Sequence, residues 1–490
     1  MNVRLQVLGY ALRAVAEEMG AALIRSAFSA NIKERRDCST AIFDPSGRMV
    51  AQAEHIPVHL GAMPASVAAV IACDPGPDDV FVLNDPYSGG THLPDVTLVS
   101  RTELGWAATR AHHADVGGAV PGSMPAGSRT LAEEGVVIPP TRLDEATLEE
   151  LVAQMRNPDE RRGDLRAQLA AQRLGARRIA ELCARRGRDE VAAAMDELVA
   201  YSERRVRAGI AALPDGRWEA VERLETADGE LELRVAAIVA GDELVLDFAG
   251  TAPQHVGNLN CPLAVTVSAC LFVVRVLTDP DVPASAGALA PVTVVAPEGC
   301  LVNARPPAAV AAGNVETSSR IVDLLFRAFG RAVPVPAQGQ GTMNNVVLGN
   351  ERFTYYETIG GGQGACPDAD GPSGVHVAMS NTLSTPTEAL ELGYPLRVER
   401  HALRLGSGGE GVHAGGDGVI RELRVLEACR LSLLSQRRRI APAGAEGGGP
   451  GAPGRSLLDG EELPPLASRE LSAGDVLRIE TPGGGGYGSR

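Results

Sequence analysis

Two copies of one short pattern, His-x-x-Asp, lie twenty residues apart, and the chain must fold so that they can meet. The first is His92-Leu93-Pro94-Asp95 and the second is His112-His113-Ala114-Asp115. Each runs into a β-branched residue, Val96 or Val116, with glycines nearby, which reads as a loop feeding a strand. Such geometry lets side chains from separate segments converge on one point. The sequence holds nine histidines, and three of them are here with two carboxylates. Imidazole and carboxylate are the donors a divalent metal takes when no thiolate is offered. One motif of this kind reads as a hydrogen-bonded turn; two so close together read as a metal centre. Across the proline turn the i,i+3 spacing sets His92 and Asp95 on one side. In the second copy an extended strand would put His113, not His112, on the Asp115 face. Spacing leaves the choice of histidine open.

A chain of 490 residues exceeds a single ordinary core, so several subdomains are expected. The pattern predicts a mixed α/β (α+β) protein. An N-terminal α/β metal-binding domain covers 1–143, and a helical segment covers 144–213. An α/β segment follows over 214–334, and a glycine-rich, β-dominated domain over 335–490. Leu5, Leu8, Leu12, Val15, Met19 and Leu23 recur at helical spacing. Residues 80–83 and 96–99 read as buried strands. From Leu148 onward, apolar residues every three or four positions mark two or three amphipathic helices, whose many charges read as solvated. Residues 231–235 and 244–248 alternate around Gly241-Asp242, as strands joined by a turn do. The loop 360–364 reads as a flexible, polar surface loop, and glycines 483–486 as a tight turn or linker.

The charge of −15 opposes a role in binding nucleic acid or an anionic membrane. No apolar run is long enough to span a bilayer, and no signal peptide is apparent at the start. Eight scattered cysteines without a Cys-x-x-Cys fit reduced thiols in the cytoplasm. Cys38 follows an arginine pair that could lower its pKa, but a small semi-buried residue is the simpler reading. Lys33 is the only lysine, and neither a phosphate loop nor a Gly-x-Gly-x-x-Gly unit stands out. If the reaction uses ATP, the nucleotide is expected on another chain. Further polar candidates are Asp37, in Glu34-Arg35-Arg36-Asp37; His55 and His59, in EHIPVHLG; and Gly361, Gly362 and Gln363.

At these segments the chain resembles the hydantoinase B / 5-oxoprolinase family. The resemblance is carried by ERRDCSTAIFD (34–44), EHIPVHLGAMP (54–64), NDPYSGGTHLPDVTLV (84–99), AHHADVGG (111–118), DFAGTAPQ (247–254), ETIGGGQGA (357–365) and TPGGGGYG (481–488), in family order and almost end to end. It implies the B-type subunit of an ATP-dependent cyclic amide hydrolase of the 5-oxoprolinase or N-methylhydantoinase kind. A hydantoinase A-type partner in a hetero-oligomer would hold ATP and phosphorylate the amide oxygen. A metal-bound hydroxide on this chain would then complete hydrolysis. The ligands implied for one divalent ion (Zn, Mn or Fe) are Asp37, His92, Asp95 and His112. His113 and Asp115 become the catalytic or supporting pair. His55, His59, Gly361, Gly362 and Gln363 would face substrate or partner. Two alternatives stand beside this. One is an alpha-type subunit of an ATP-dependent ketone carboxylase. The other is a non-catalytic scaffold for the A-type chain, disfavoured because structural zinc sites mostly use cysteine.

Overall fold

The computed structural model describes residues 3–227 and 229–489. The leucines spaced along the N-terminus form the buried face of α1 (Val3–Ser26). After the single turn α2 (Ala30–Lys33), the chain builds a six-stranded antiparallel sheet of order β2-β1-β5-β4-β3-β6. Its strands are β1 (Cys38–Phe43), β2 (Met49–Glu54), β3 (Val80–Leu83), β4 (Asp95–Arg101), β5 (Trp106–His112) and β6 (Thr141–Arg142). The short helices α3 (Met63–Ile71) and α4 (Leu131–Glu134) interrupt them, and α5 (Glu145–Val152), α6 (Pro158–Arg186) and α7 (Arg188–Ile210) follow. Alternation along each strand sorts the two faces. Cys38, Ile42, Ala107 and Ala111 pack with α1, α6 and α7, whereas Ala41, Phe43, Trp106 and Ala108 pack with α3.

Local pattern assigns the charges of α6 to solvent, and the structure differs. Arg161, Asp164, Gln168 and Gln172 are buried, because α6 crosses the sheet. Gln168 Nε2 donates to the Val96 carbonyl at 3.0 Å, and Gln172 Nε2 to the Leu98 carbonyl at 2.6 Å. Asp164 accepts from the backbone N–H groups of Phe28 and Ser29. A polar side chain on a buried helix face is stable only with such partners.

The second sheet has order β10-β9-β8-β7. It comprises β7 (Gly216–Glu225), β8 (Glu230–Ala240), β9 (Glu243–Asp247) and β10 (Val292–Val295), the last pair parallel. The helix α9 (Ser318–Phe329), entered through a π-helical turn at Gly313–Thr317, packs on β7 and β8, and α8 (Leu263–Thr278) packs on α9. Two further sheets share one core. The third has order β12-β11-β15-β18, from β11 (Asn345–Gly349), β12 (Thr354–Glu357), β15 (Cys429–Leu434) and β18 (Leu466–Leu471). The fourth has order β13-β14-β19-β16-β17, from β13 (Leu396–Arg404), β14 (Gly418–Val425), β16 (Arg455–Leu458), β17 (Glu461–Glu462) and β19 (Val476–Glu480). Val346, Leu348, Leu431 and Leu433 of the third sheet meet Leu423, Leu477 and Ile479 of the fourth. The short α10 (Thr387–Gly393) precedes β13.

Glycines 483–486 are not a linker; all four are buried. They thread a bundle of other glycine-rich segments, bonded backbone to backbone. Gly484 N donates to Gly416 O, Gly485 N to Gln338 O, and Gly486 N to Gly449 O, each at 2.8–2.9 Å. Gly409 N and Ala365 N donate back to the carbonyls of Gly484 and Gly485. A Cβ on Gly484 would lie 2.0 Å from the Gln363 carbonyl oxygen, and one on Gly362 would lie 2.0 Å from that of Gly416. None of glycines 483–486 takes a positive φ. Close approach of main chains, rather than turn geometry, demands glycine here.

Candidate metal centre

Strand register assembles the site. Asp95, the first residue of β4, pairs directly with His112, the last of β5. Cys38 pairs with Ala111, which leaves Asp37 beside His112, and the His112 N–H donates to the Asp37 carbonyl at 3.0 Å. His92 arrives through the turn before β4, closed by the Asp95 N–H donating to the His92 carbonyl. His59 ends the short helical turn Pro57–His59.

His92 Nε2 lies 3.1 Å from Asp95 Oδ1, His112 Nδ1 lies 3.2 Å from the same oxygen, and the two nitrogens are 3.2 Å apart. Ligands bonded at about 2.1 Å stand about 3.0 Å apart around an octahedral ion and about 3.4 Å around a tetrahedral one. The triangle therefore has the size of one face of a coordination shell. His92, Asp95 and His112 are the donors whose atoms lie within 4.8 Å of one another, and this buried set could hold a metal ion. They line a cavity of about 20 Å³, room for an ion or one water. Asp37 and His59 line it as well.

The rest of the environment orients these donors. Thr91 Oγ1 donates to Asp95 Oδ2 at 2.5 Å, and His59 Nε2 lies 3.4 Å from that oxygen, leaving Oδ1 for the cavity. The ring of Tyr356 stacks on His112 at 4.5 Å with 9° between planes, and its hydroxyl donates to Asn345 Oδ1. Burial opposes ionisation of Asp95, but His92, with hydrogen bonds from His112, His59 and His92 itself, holds the carboxyl well below its usual range. Burial also lowers the His112 pKa, against the pull of Asp95 and Asp37. An ionised carboxylate and neutral imidazoles are the forms that bind metal.

The other sequence candidates fall elsewhere. His113 faces α6, where its Nε2 lies 2.9 Å from Gln168 Oε1, and desolvation pushes its pKa down to about 4. Asp115 is spent on its own loop. It accepts from the backbone N–H groups of Gly117, Gly122 and Arg156 and pairs with the Arg156 guanidinium at 3.2 Å. Neither side chain lines the cavity. Of the other loop candidates, the carbonyl of His55 accepts from Asn381 Nδ2 at the cavity rim. Gly361, Gly362 and Gln363 belong to the glycine bundle, and Gln363 lines a separate cavity of about 470 Å³. Cys38 is fully buried, and desolvation drives its thiol pKa up, so the arginines do not activate it.

Sequence reasoning missed Tyr356, Thr358, Asn314, Met343 and the segment 380–382, all of which line the cavity. The one available signal was that Tyr356, in β12, and Thr358, just past its end, share a parity.

The model of the Hydantoinase B/oxoprolinase family matches residues 1–490. The chain is 39% identical to an uncharacterised protein of Methanocaldococcus jannaschii, across 100% of this chain and 91% of that one. It is 37% identical to 5-oxoprolinase 1 of Arabidopsis thaliana, across 99% of this chain but 42% of that longer protein. A putative B-type subunit of a D-/L-hydantoinase from a Pseudomonas species is 31% identical, with 99% and 90% covered. Among solved structures, the ATP-dependent caprolactamase from Pseudomonas jessenii superposes with a TM-score of 0.92 at 28% identity, covering 99% of this chain and 90% of that one. An acetone carboxylase chain superposes with a TM-score of 0.89 over 99% of this chain and 75% of that one, but at 18% identity it shares the fold alone. With matching segments from end to end and the whole fold in common, the chain belongs to the hydantoinase B/oxoprolinase family.

Proposed function

We propose that this chain is the hydrolytic, B-type subunit of an ATP-dependent cyclic amide hydrolase. The carrying observation is the buried His92–Asp95–His112 triangle, with edges of 3.1–3.2 Å. Asp37 completes the proposed ligand set. Bound there, a divalent ion (Zn, Mn or Fe) would polarise an amide carbonyl and lower the pKa of a water towards about 7. The chain's own residues hold the geometry. Thr91 and His59 fix which Asp95 oxygen faces the cavity, and Tyr356 fixes the plane of His112. His113 and Asp115 act behind the site, bracing α6 and the 115–122 loop.

ATP would be spent on an A-type partner, which phosphorylates the amide oxygen. The absence of a phosphate loop in this sequence supports that division. So does the name of the Pseudomonas relative, which makes it one subunit of a hydantoinase. Opening the ring takes two waters: one adds to the activated carbon and expels the ring nitrogen as an amine, leaving an acyl phosphate, and a second releases phosphate and the free acid. Among the described residues no helix is long and apolar enough to cross a membrane.

Metal analysis of the purified chain tests the ligand set. We expect about one divalent ion per chain and its loss in His92→Ala; a variant that keeps the ion overturns the assignment. Co-expressed with its partner, the chain should support ATP turnover in response to 5-oxoproline or a hydantoin. Turnover that requires bicarbonate and a ketone would instead establish the carboxylase reading.

A further inference from the structure

A second cavity, of about 470 Å³, borders the one at the metal donors. Val377 and Ala378 line the larger, and Ser380, Asn381 and Thr382 line the smaller. Residues 378 and 380 stand no more than about 7 Å apart, so one short stretch of chain serves both. The smaller holds about 20 Å³, room for an ion or a water but not for an organic ring. The larger falls among ligand sites, which run from about 300 to 1,000 Å³. Its walls are apolar. Phe272 and Val276 come from α8, Val322 and Phe326 from α9, and Val335 and Val377 from irregular segments.

Two polar groups in this cavity are left with capacity to spare. Asp323 lines it and is 7% exposed. Arg437 Nη2 donates to Asp323 Oδ2 at 2.6 Å, and Arg320 Nη1 donates to the same oxygen at 3.3 Å. Among the described residues nothing donates to Oδ1, which is the oxygen left for a ligand. Gln363 gives its main chain to the glycine bundle: its N–H donates to the Pro372 carbonyl, and its carbonyl accepts from the Gly416 N–H. Its carboxamide has no partner among the described residues. Gln338, by contrast, is spent. Its Oε1 accepts from Arg437 Nη2 and the Ala443 N–H, and its Nε2 donates to Glu222. The charges select the ligand. Two buried guanidiniums already match Asp323, so an incoming cation would meet Arg320 and Arg437 along with the carboxylate. An anion would meet Asp323 itself. A neutral N–H meets neither penalty and satisfies a buried acceptor.

We propose that this cavity is a docking site for a small neutral lactam, with its hydrocarbon ring against the apolar walls and its N–H on Asp323 Oδ1. The Gln363 carboxamide is the second polar contact. That the docked lactam is the substrate held beside the metal centre rests on the hydrolase reading above; the binding itself does not.

The probe is δ-valerolactam, titrated by ligand-observed NMR against the chain as purified and against His92→Ala. It should bind saturably and equally to both, because none of the metal donors lines this cavity. Its N-methyl derivative lacks the N–H, and piperidine is a cation at pH 7; each should bind at least about ten-fold more weakly. These comparisons need no variant. Val276 is 42% exposed, so Val276→Trp narrows the cavity without disturbing the core. It should weaken δ-valerolactam at least about ten-fold, at unchanged melting temperature and metal content. In the partnered enzyme it should raise the KM for the hydrolysed amide and leave kcat unchanged. Binding lost in His92→Ala would place the lactam at the metal donors and overturn the proposal. Equal binding of either control compound, or unchanged affinity in Val276→Trp, also overturns it. An unchanged KM in Val276→Trp overturns the docking role. Metal content and lactam affinity are separate readouts, so failure of the ligand set and failure of the docking site are told apart.

Discussion

Glu316 sits on the π-helical turn that leads into α9, just past the cavity-lining Asn314 and Val315. Its Oε1 accepts from Asn345 Nδ2 at 2.9 Å and from the Met343 N–H at 3.2 Å, while Oε2 has no partner. Complete burial raises its pKa to about 8, despite the Thr342 hydroxyl, the Met343 N–H and the charges of Arg438 and Arg320. The folded state thus holds a proton that the unfolded chain releases above its ordinary value of 4.5. Stability from this group is full below pH 4.5 and is lost as pH rises towards 8. Glu316→Gln should therefore be more stable than the parent at pH 8, by on the order of 2–4 kcal/mol, with the difference vanishing near pH 4.5. Urea unfolding at the two pH values checks this. Nothing around Glu316 in the sequence announces it, because the groups that desolvate it come from β11 and beyond. His92 and Asp95 were legible, since their spacing across a proline turn is local.

Strand alternation decided what the second motif could not. One residue along β5 reverses the face, so His112 joins the cavity and His113 joins α6. Two variants should then separate two properties. His112→Ala should lose the metal while keeping the fold. His113→Ala should keep the metal but lose about 1–3 kcal/mol, by leaving Gln168 Oε1 unpaired. Metal analysis and denaturant unfolding read the two effects. The glycine bundle gives a sharper contrast. Gly484→Ala must push a Cβ into the Gln363 carbonyl oxygen, 2.0 Å away, and should cost at least about 3 kcal/mol or prevent folding. Gly393→Ala, at the end of α10 with nothing within 4 Å of the new Cβ, should be neutral or stabilise by up to about 1 kcal/mol. Comparable melting temperatures for the two would refute the close-packing account. Composition read the terminal glycines as a turn because a glycine run looks the same in a linker and in a packed bundle.

At the scale of the molecule, the cavity lies where three units meet. The first sheet brings Asp37, Asp95 and His112, the turn before α9 brings Asn314 and Val315, and β12 brings Tyr356. A bound ion would be held by donors of the first sheet and its preceding turn, and would stabilise the folded state by mass action. Removing it with a chelator should lower the melting temperature, since a ligand at 100 times its Kd contributes about 2.7 kcal/mol. His92→Ala should melt at the chelated temperature whether or not chelator is present.

The sequence by itself determined the periodicities that became α1, β3 and β4, the donor types of the site, and the segments that carry the family resemblance. Those properties are written in spacings of two to four residues and in the chemistry of each side chain. Only the tertiary structure decided that His112 rather than His113 faces Asp95, that Asp115 serves its own loop, and that glycines 483–486 are a packed centre. It alone revealed that the buried Arg35 donates to the hydroxyls of Thr358 and Thr382. Each of these depends on which main chain lies opposite. Residues 35 and 358, or 363 and 484, become neighbours only when more than a hundred intervening residues have packed, and no local pattern carries that information.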